Sequence, residues 1–269
     1  MAVYDINGNV ISSGGGEGGN ENYDLIVKGI NHRGYNSIAP ENTLPAFKLS
    51  KQHGFNFVET DISWTSDDIP VLSHDNDISR CSDGTGNISS MTYQQLLQYD
   101  FSNGKAGYSN VKIPTAEEFL KLCRALGLHA YLELKNNVTE VHVSSLVSLV
   151  ESCGMKGHVS YISFNSGRLE WVKTYDSEAR LGFLLSSAIT ADSITTALGL
   201  RTESNEVFLD ADRLYQNDST IALAKAESIP VELWTVDTVA HILGANAYVT
   251  GFTSNSLIAG KVLYDANIE

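Results

Sequence analysis

Three cysteines in 269 residues, Cys81, Cys123 and Cys153, leave this chain without the means for a disulfide framework. They are odd in number and none stands in CxxC spacing, which also argues against a structural zinc site; free thiols in core or loop are expected. Long apolar runs are missing too. No stretch approaches the ~20 consecutive apolar residues of a membrane helix, so no membrane insertion is expected. Basic residues are scarce: 18 Lys and Arg stand against 32 Asp and Glu, a formal net charge of −14, and no run of Lys or Arg interrupts it. Such a surface repels nucleic acid and anionic membranes, which argues against nucleic-acid binding. The opening residues, "MAVYDINGNV", lack the basic and apolar segments of a signal peptide. A trimmed chain would share that lack, so cytoplasmic, surface and virion-associated locations all stay open for a soluble protein.

Residues 1–23 read as a flexible leader. In "VYDINGNVI" an Asn-Gly pair separates two short apolar pieces, a hairpin signal, and "SSGGGEGGNEN" at 12–22 is a Gly/Ser-rich linker. A hairpin this small is marginal alone, which leaves room for an upstream module or an assembly formed through the leader.

From residue 24 to 269 the pattern alternates. Strand-like runs occur at "LIVKGINH", "FNFVETDIS", "HAYLELK", "HVSYISF", "ARLGFLL", "EVFLDA", "PVELWTV" and "AYVTGF". Helical segments fall near 43–53, 115–126, 139–152, 166–174, 190–200, 217–227, 237–243 and 255–264. Eight strands separated by helices predict the α/β class and a (β/α)8 TIM barrel. The competing doubly wound sheet would carry a Gly-rich phosphate fingerprint after the first strand, and none is present. One connection is abnormally long. After the second strand a polar insertion intervenes, read as a short strand ending at His74 followed by a small helix at 92–98; long excursions of this kind usually serve the active site.

Side chains alternate along a strand, so Glu59 and Asp61 share a face, as do Glu133 and Lys135. Catalytic groups of a barrel sit at the C-terminal ends of its strands. His32 and Arg33 end the first strand, Glu59 and Asp61 the second, Glu133 and Lys135 the third. Three convergent carboxylates repel one another unless a cation lies among them, and oxygen ligands suit a hard divalent ion, Mg2+ or Ca2+. One acidic pair alone arises readily by chance in so acidic a chain; repetition on neighbouring strands is the signal. His32 and His74, each at the end of a strand-like run, could supply a general base and a general acid. Arg33 and Lys135 either clamp an anion or pair with the adjacent acids. Trp234, at the end of the seventh strand, either covers a ligand or packs in the core. The other histidines, in helices or at strand starts, are read as structural.

These residues sit in motifs that resemble the glycerophosphodiester phosphodiesterase family. The resemblance is carried by "HRGYNSIAPENTLPAF" at 32–47 and "FVETDISWTSDDIPVLSHD" at 57–75. It continues through "IPTAEEFL" at 113–120, "LELK" at 132–135, "ISF" at 162–164 and "WTV" at 234–236. It implies a barrel hydrolase that cleaves small glycerol phosphodiesters with a divalent cation. By motif position, His32 and His74 match the acid/base pair and Glu59, Asp61 and Glu133 the metal ligands. Arg33 and Lys135 match the groups that hold the phosphate, Trp234 a substrate-facing aromatic, and Glu41 and Asn42 of "PENT" supporting residues. The insertion occupies the place where the family varies its substrate-covering segment.

Two departures bear on substrate preference. Asp237 follows "WTV" where the family usually has Asn, and in "NAYVTGF" Gly251 stands where a second Asp is expected, both taken to lie on the rim. Besides hydrolysis of a small diester, two further expectations follow. One is a surface or phage-tail enzyme acting on polyglycerolphosphate wall polymer, which the negative charge disfavours. The other is a catalytically silent binding module, which the intact histidines and carboxylates disfavour.

Overall fold

A computed structural model describes residues 27–135, 137–258 and 262, together with the backbone of 3–4 and 10–12. In the leader, β1 (Val3–Tyr4) pairs antiparallel with β2 (Val10–Ser12), placing Val3 opposite Ser12. The Gly/Ser-rich stretch beyond Ser12 and half of the helix expected at 255–264 lie outside the described residues.

Each of the eight apolar runs forms a strand, and helices or turns follow in alternation. The chain continues as β3 (Lys28–Asn31), α1 (Leu44–Gln52), β4 (Phe57–Trp64) and β5 (Pro70–Leu72). Next come α2 (Tyr93–Leu96), α3 (Ala116–Leu126), β6 (His129–Leu134), α4 (Glu140–Ser152), β7 (Val159–Ser163), α5 (Ser166–Tyr175) and β8 (Arg180–Leu185). The last units are α6 (Ala191–Leu200), β9 (Val207–Asp212), α7 (Asp218–Ala226), β10 (Val231–Trp234), α8 (Val239–Leu243) and β11 (Val249–Ser254). Parallel pairings run β3–β4–β6–β7–β8–β9–β10–β11 and return from β11 to β3, closing a (β/α)8 TIM barrel. Local chemistry starts the helices where the pattern predicts. Thr115, Thr139, Thr190 and Asn217 each accept from the third backbone N–H of their helix in a reciprocal capping box.

Alternation sorts the strand side chains into two layers. Val58, Ile62, Leu132, Leu134, Leu181 and Leu209 face outward onto the helices, in one core with Phe47 and Phe119. Ile30, Tyr131, Ile162, Leu184 and Phe208 fill the barrel interior. Toward the strand beginnings the interior is ionic: fully buried Glu232 accepts from Lys28 at 2.9 Å, Arg180 at 2.8 Å and Tyr131 at 3.2 Å. Gly251 of β11 lies opposite Lys28 and Glu232, and a Cβ there would stand 3.0 Å from Glu232 Cδ. It therefore belongs to this packed interior. The expected rim position is corrected: the glycine makes room for the Glu232 side chain.

The long connection also differs in detail from expectation. β4 does not stop at Asp61; Ile62, still opposite Leu134 of β6, and then Ser63 and Trp64 pair antiparallel with Pro70–Leu72 of β5. β5 ends two residues before His74, and the small helix is the single turn α2. Val71, Ile78, Ile88, Leu96, Phe101 and Ile113 give the insertion a core of its own. Among the described residues no helix is long and apolar enough to cross a membrane. All three cysteines are free, Cys123 and Cys153 buried and Cys81 half-buried.

Candidate active site

β3 delivers the chain to a tight loop at the rim. The His32 N–H donates to Ser254 O at 2.9 Å, locking the loop onto the end of β11. Arg33 takes a left-handed φ of 54°, which turns its own N–H onto Glu59 Oε2 at 3.0 Å. Gly34 follows at φ 77°, and a Cβ on it would meet Ala46 Cβ at 2.7 Å, so the loop sits flush on α1 only with glycine there. The backbone of Asn42 closes the loop on Arg33 O at 2.9 Å. Its side chain then donates to Asp61 Oδ2 at 3.0 Å and accepts from Thr60 Oγ1 at 2.8 Å, which orients the carboxylate.

Glu59 and Asp61 lie two apart on β4, and Asp61 is opposite Glu133 of β6. One oxygen from each of the three falls within 4.8 Å of the others. Two cations brace them: Lys135 Nζ lies 3.2 Å from Asp61 Oδ1 and 3.1 Å from Glu133 Oε1, and Arg33 Nε lies 3.3 Å from Asp61 Oδ2. Burial opposes ionisation of Asp61, but Arg33, Lys135 and His74 outweigh it and hold its carboxyl well below the usual range. The other two go the opposite way. Burial and the Asp61 charge push Glu59 well above its ordinary value, and the same two causes, opposed by Lys135, push Glu133 up to about 7. Left to itself, the cluster thus holds protons at Glu59 and Glu133 more firmly than isolated carboxylates would. A divalent cation would displace them, and three carboxylates are the hard oxygen donors such an ion prefers.

Two histidines flank the cluster with unlike support. His32 Nε2 faces Glu59 Oε2 at 4.0 Å, while Nδ1 is 3.0 Å from Asn255 Oδ1. The orientation of that amide is determined by its other contacts. Asn255 Nδ2 donates to Asp237 Oδ2 at 2.6 Å, and Asn255 Oδ1 already accepts from Asn36 Nδ2 at 2.6 Å. An oxygen therefore faces His32, and Nδ1 must carry the proton. His74 instead places Nδ1 2.6 Å from the Asp75 carboxylate. Asp75 in turn accepts from Arg80 Nε, and Arg80 reaches both oxygens of Glu41 at 2.8 Å. Glu41 Oε1 also takes Arg33 Nη1 at 3.0 Å.

All six groups expected at one rim, and His74 with them, are thus brought together. Arg33 and Lys135 pair with the acids. Trp234 is half-buried: it packs against the interior cluster, donates Nε1 to Asp210 O at 3.1 Å and meets exposed Phe164 edge-on at 5.8 Å. Of the remaining histidines, His53 stacks on Tyr35, His142 stacks on Trp64, and His129, its pKa lowered to about 3 chiefly by burial, bonds Ser160 Oγ at 2.8 Å. Asp237 accepts from the backbone and side chain of Asn255 and from the Ser254 hydroxyl. Asn255, Asn36 and Arg80 were missed by motif reasoning. Asn36 stands inside the motif at 32–47, which gave it no role, while Asn255 and Arg80 are lone residues in polar stretches that nothing local distinguishes.

Residues 32–257 match the sequence profile of the Glycerophosphoryl diester phosphodiesterase family. Over 114 residues the chain is 36% identical to the human protein named Glycerophosphodiester phosphodiesterase 1, covering 41% of this chain and 34% of that one. The chain thus spans about a third of the length of that relative. In three dimensions it is similar to an Oleispira antarctica phosphodiesterase in complex with the product sn-glycerol-3-phosphate, with TM-score 0.77, 26% identity, and coverage of 91% of this chain and 99% of that one. A glycerophosphodiester phosphodiesterase from Parabacteroides distasonis shares the fold at TM-score 0.72 and 23% identity, covering 90% and 99% of the two chains. With a profile match that runs from His32 to beyond β11, this chain belongs to the Glycerophosphoryl diester phosphodiesterase family.

Proposed function

We propose that this chain hydrolyses a small glycerophosphodiester to an alcohol and glycerol phosphate, using a divalent cation and two histidines of opposite function. The observation that carries this is the unequal support of His32 and His74 on either side of three converging carboxylates. The product named for the Oleispira relative has the matching chemistry, a phosphomonoester of glycerol.

Glu59, Asp61 and Glu133 would hold the ion, Mg2+ or Ca2+, which supplies charge neutralisation at the non-bridging phosphoryl oxygens. Arg33 and Lys135 keep the Asp61 carboxylate ionised and turn their remaining N–H groups to the same phosphate. His32 has a neutral amide oxygen at Nδ1, and burial and then Arg33 lower its proton affinity. Its free Nε2 takes the proton from the nucleophile as the new P–O bond forms, either from water directly or from the substrate's own glycerol hydroxyl, in which case water then opens the cyclic phosphate to glycerol phosphate. His74 is oriented by the Asp75 carboxylate at Nδ1; its other ring nitrogen gives a proton to the departing alkoxide as the old P–O bond breaks. Trp234 lies on the rim beside Phe164, where the two rings flank the organic part of the diester.

The test is release of glycerol phosphate from glycerophosphocholine, glycerophosphoethanolamine and polyglycerolphosphate. The protein is stripped of metal, then supplied with Mg2+ or Ca2+. Metal-restored cleavage of a small diester is expected. Cleavage of the polymer alone would move the substrate to a wall polymer, and silence on all three would overturn the hydrolase.

A further inference from the structure

We infer that Arg80, in the insertion after β5, is a positioning residue that holds His74 and Arg33 in one rigid frame. This rests on the hydrolase proposed above. Arg80 stands at the midpoint of a continuous ionic chain. Its Nε donates to Asp75 Oδ2, and the other oxygen of that carboxylate faces His74 Nδ1 at 2.6 Å. Its Nη1 and Nη2 donate to the two oxygens of Glu41, each at 2.8 Å. Glu41 Oε1 also accepts from Arg33, whose backbone N–H and Nε reach Glu59 and Asp61. One guanidinium thereby joins the orienting carboxylate of one histidine to the arginine that braces the metal-binding cluster.

All three guanidinium nitrogens point at carboxylates. That occupation argues for positioning rather than phosphate binding. The planar fork is also what the geometry demands: it grips Glu41 with two parallel bonds while Nε serves a second acid, and a lysine point charge cannot do both. Burial opposes ionisation of Glu41 and Asp75, yet both are held below their usual range, with Arg80 the leading opposing influence at each.

The backbone beneath Arg80 is itself pinned. Arg80 closes a short 3-10 turn, Ile78–Arg80, capped by Asp77, which accepts from the Ser79 N–H at 2.8 Å. Ile78 is buried in the insertion core with Val71, and Val71 lies on the strand that runs into His74. Ile78 N donates to Gly86 O at 3.0 Å, and Ile88 N to Asn76 O at 2.7 Å. The turn cannot shift without unpacking that core. The insertion therefore acts as a buttress for His74 and Arg33.

The experiment compares Arg80→Ala and Arg80→Lys with wild type in kcat and KM on glycerophosphocholine. In parallel, the His74 Nδ1–H resonance is followed by proton–nitrogen NMR. Arg80→Ala should lose about 10- to 100-fold in kcat with KM little changed, the usual cost of removing a supporting partner. Its His74 resonance should weaken or vanish, and methylguanidinium added to the solution should recover part of the rate. Arg80→Lys should recover only part of either. Wild-type kcat per folded molecule in Arg80→Ala, or a rate loss with the His74 resonance intact, would overturn the inference. If Arg80→Ala does not fold, the Arg80→Lys resonance decides the matter. Should wild type turn over no diester, the hydrolase fails while the resonance still tests the frame.

Discussion

Asn255 lies between Asp237 and His32 with each end of its amide committed: Nδ2 to Asp237 at 2.6 Å, Oδ1 to the imidazole Nδ1 at 3.0 Å. Asp237 is in turn held by the Ser254 hydroxyl at 2.9 Å and the Asn255 N–H at 2.8 Å. Asn255→Ala removes the acceptor that selects the His32 tautomer. A fall in kcat of about 10- to 100-fold is expected, with KM nearly unchanged, as for other supporting partners. Steady-state kinetics check it; a loss confined to KM would contradict this role.

The unlike support of the two histidines predicts unlike responses to the leaving group. His32→Ala and His74→Ala should each lower turnover of glycerophosphocholine by about 100- to 10,000-fold, the range for general acid–base groups. A nitrophenyl diester needs no protonation as it departs. On that substrate His74→Ala should regain most of its activity and His32→Ala should not. Equal recovery by both variants would show that the assignment is wrong.

The carboxylate cluster sets a pH dependence of stability in the metal-free protein. Glu133 titrates near 4.5 when unfolded and is pushed up to about 7 in the fold by burial and then Asp61. Between those values the folded state binds the extra proton. Its contribution to stability is complete below 4.5 and is lost as pH rises through about 7. The metal-free melting temperature should therefore decline across this window, and Glu133→Gln should flatten the decline. Added Mg2+ or Ca2+ should stabilise wild type more as pH rises, because ion and proton compete for the same oxygens. Thermal unfolding from pH 4 to 8 measures all three.

Gly251→Ala places a Cβ 3.0 Å from Glu232 Cδ and 3.2 Å from Ile30 Cδ1, inside a filled barrel. Overpacking of this kind costs about 1 to 3 kcal/mol. Denaturant unfolding should show that loss, while kcat per folded molecule stays at the wild-type level, since the glycine lies away from the rim.

What the sequence by itself determined is the frame. Eight apolar runs of strand length alternate with helical segments, and no Gly-rich fingerprint follows the first, which points to a closed parallel barrel because period and length are local properties. His32, Arg33, Glu59, Asp61, Glu133 and Lys135 were legible for the same reason. Residues two apart on a strand share a face, and strand ends share a rim. The tertiary structure alone decided how those groups are held. Asn255 reaches His32 across 223 residues of chain, and Arg80 reaches Glu41 across 39, contacts that no local pattern encodes. Gly251 shows the converse: motif position placed it at the rim, while packing against Glu232 sets it in the interior. In the proposed mechanism the two histidines differ by what stands behind each ring: the carboxylate behind His74 is its chain neighbour Asp75, whereas the amide behind His32 comes from Asn255 and is brought there only by closure of the barrel.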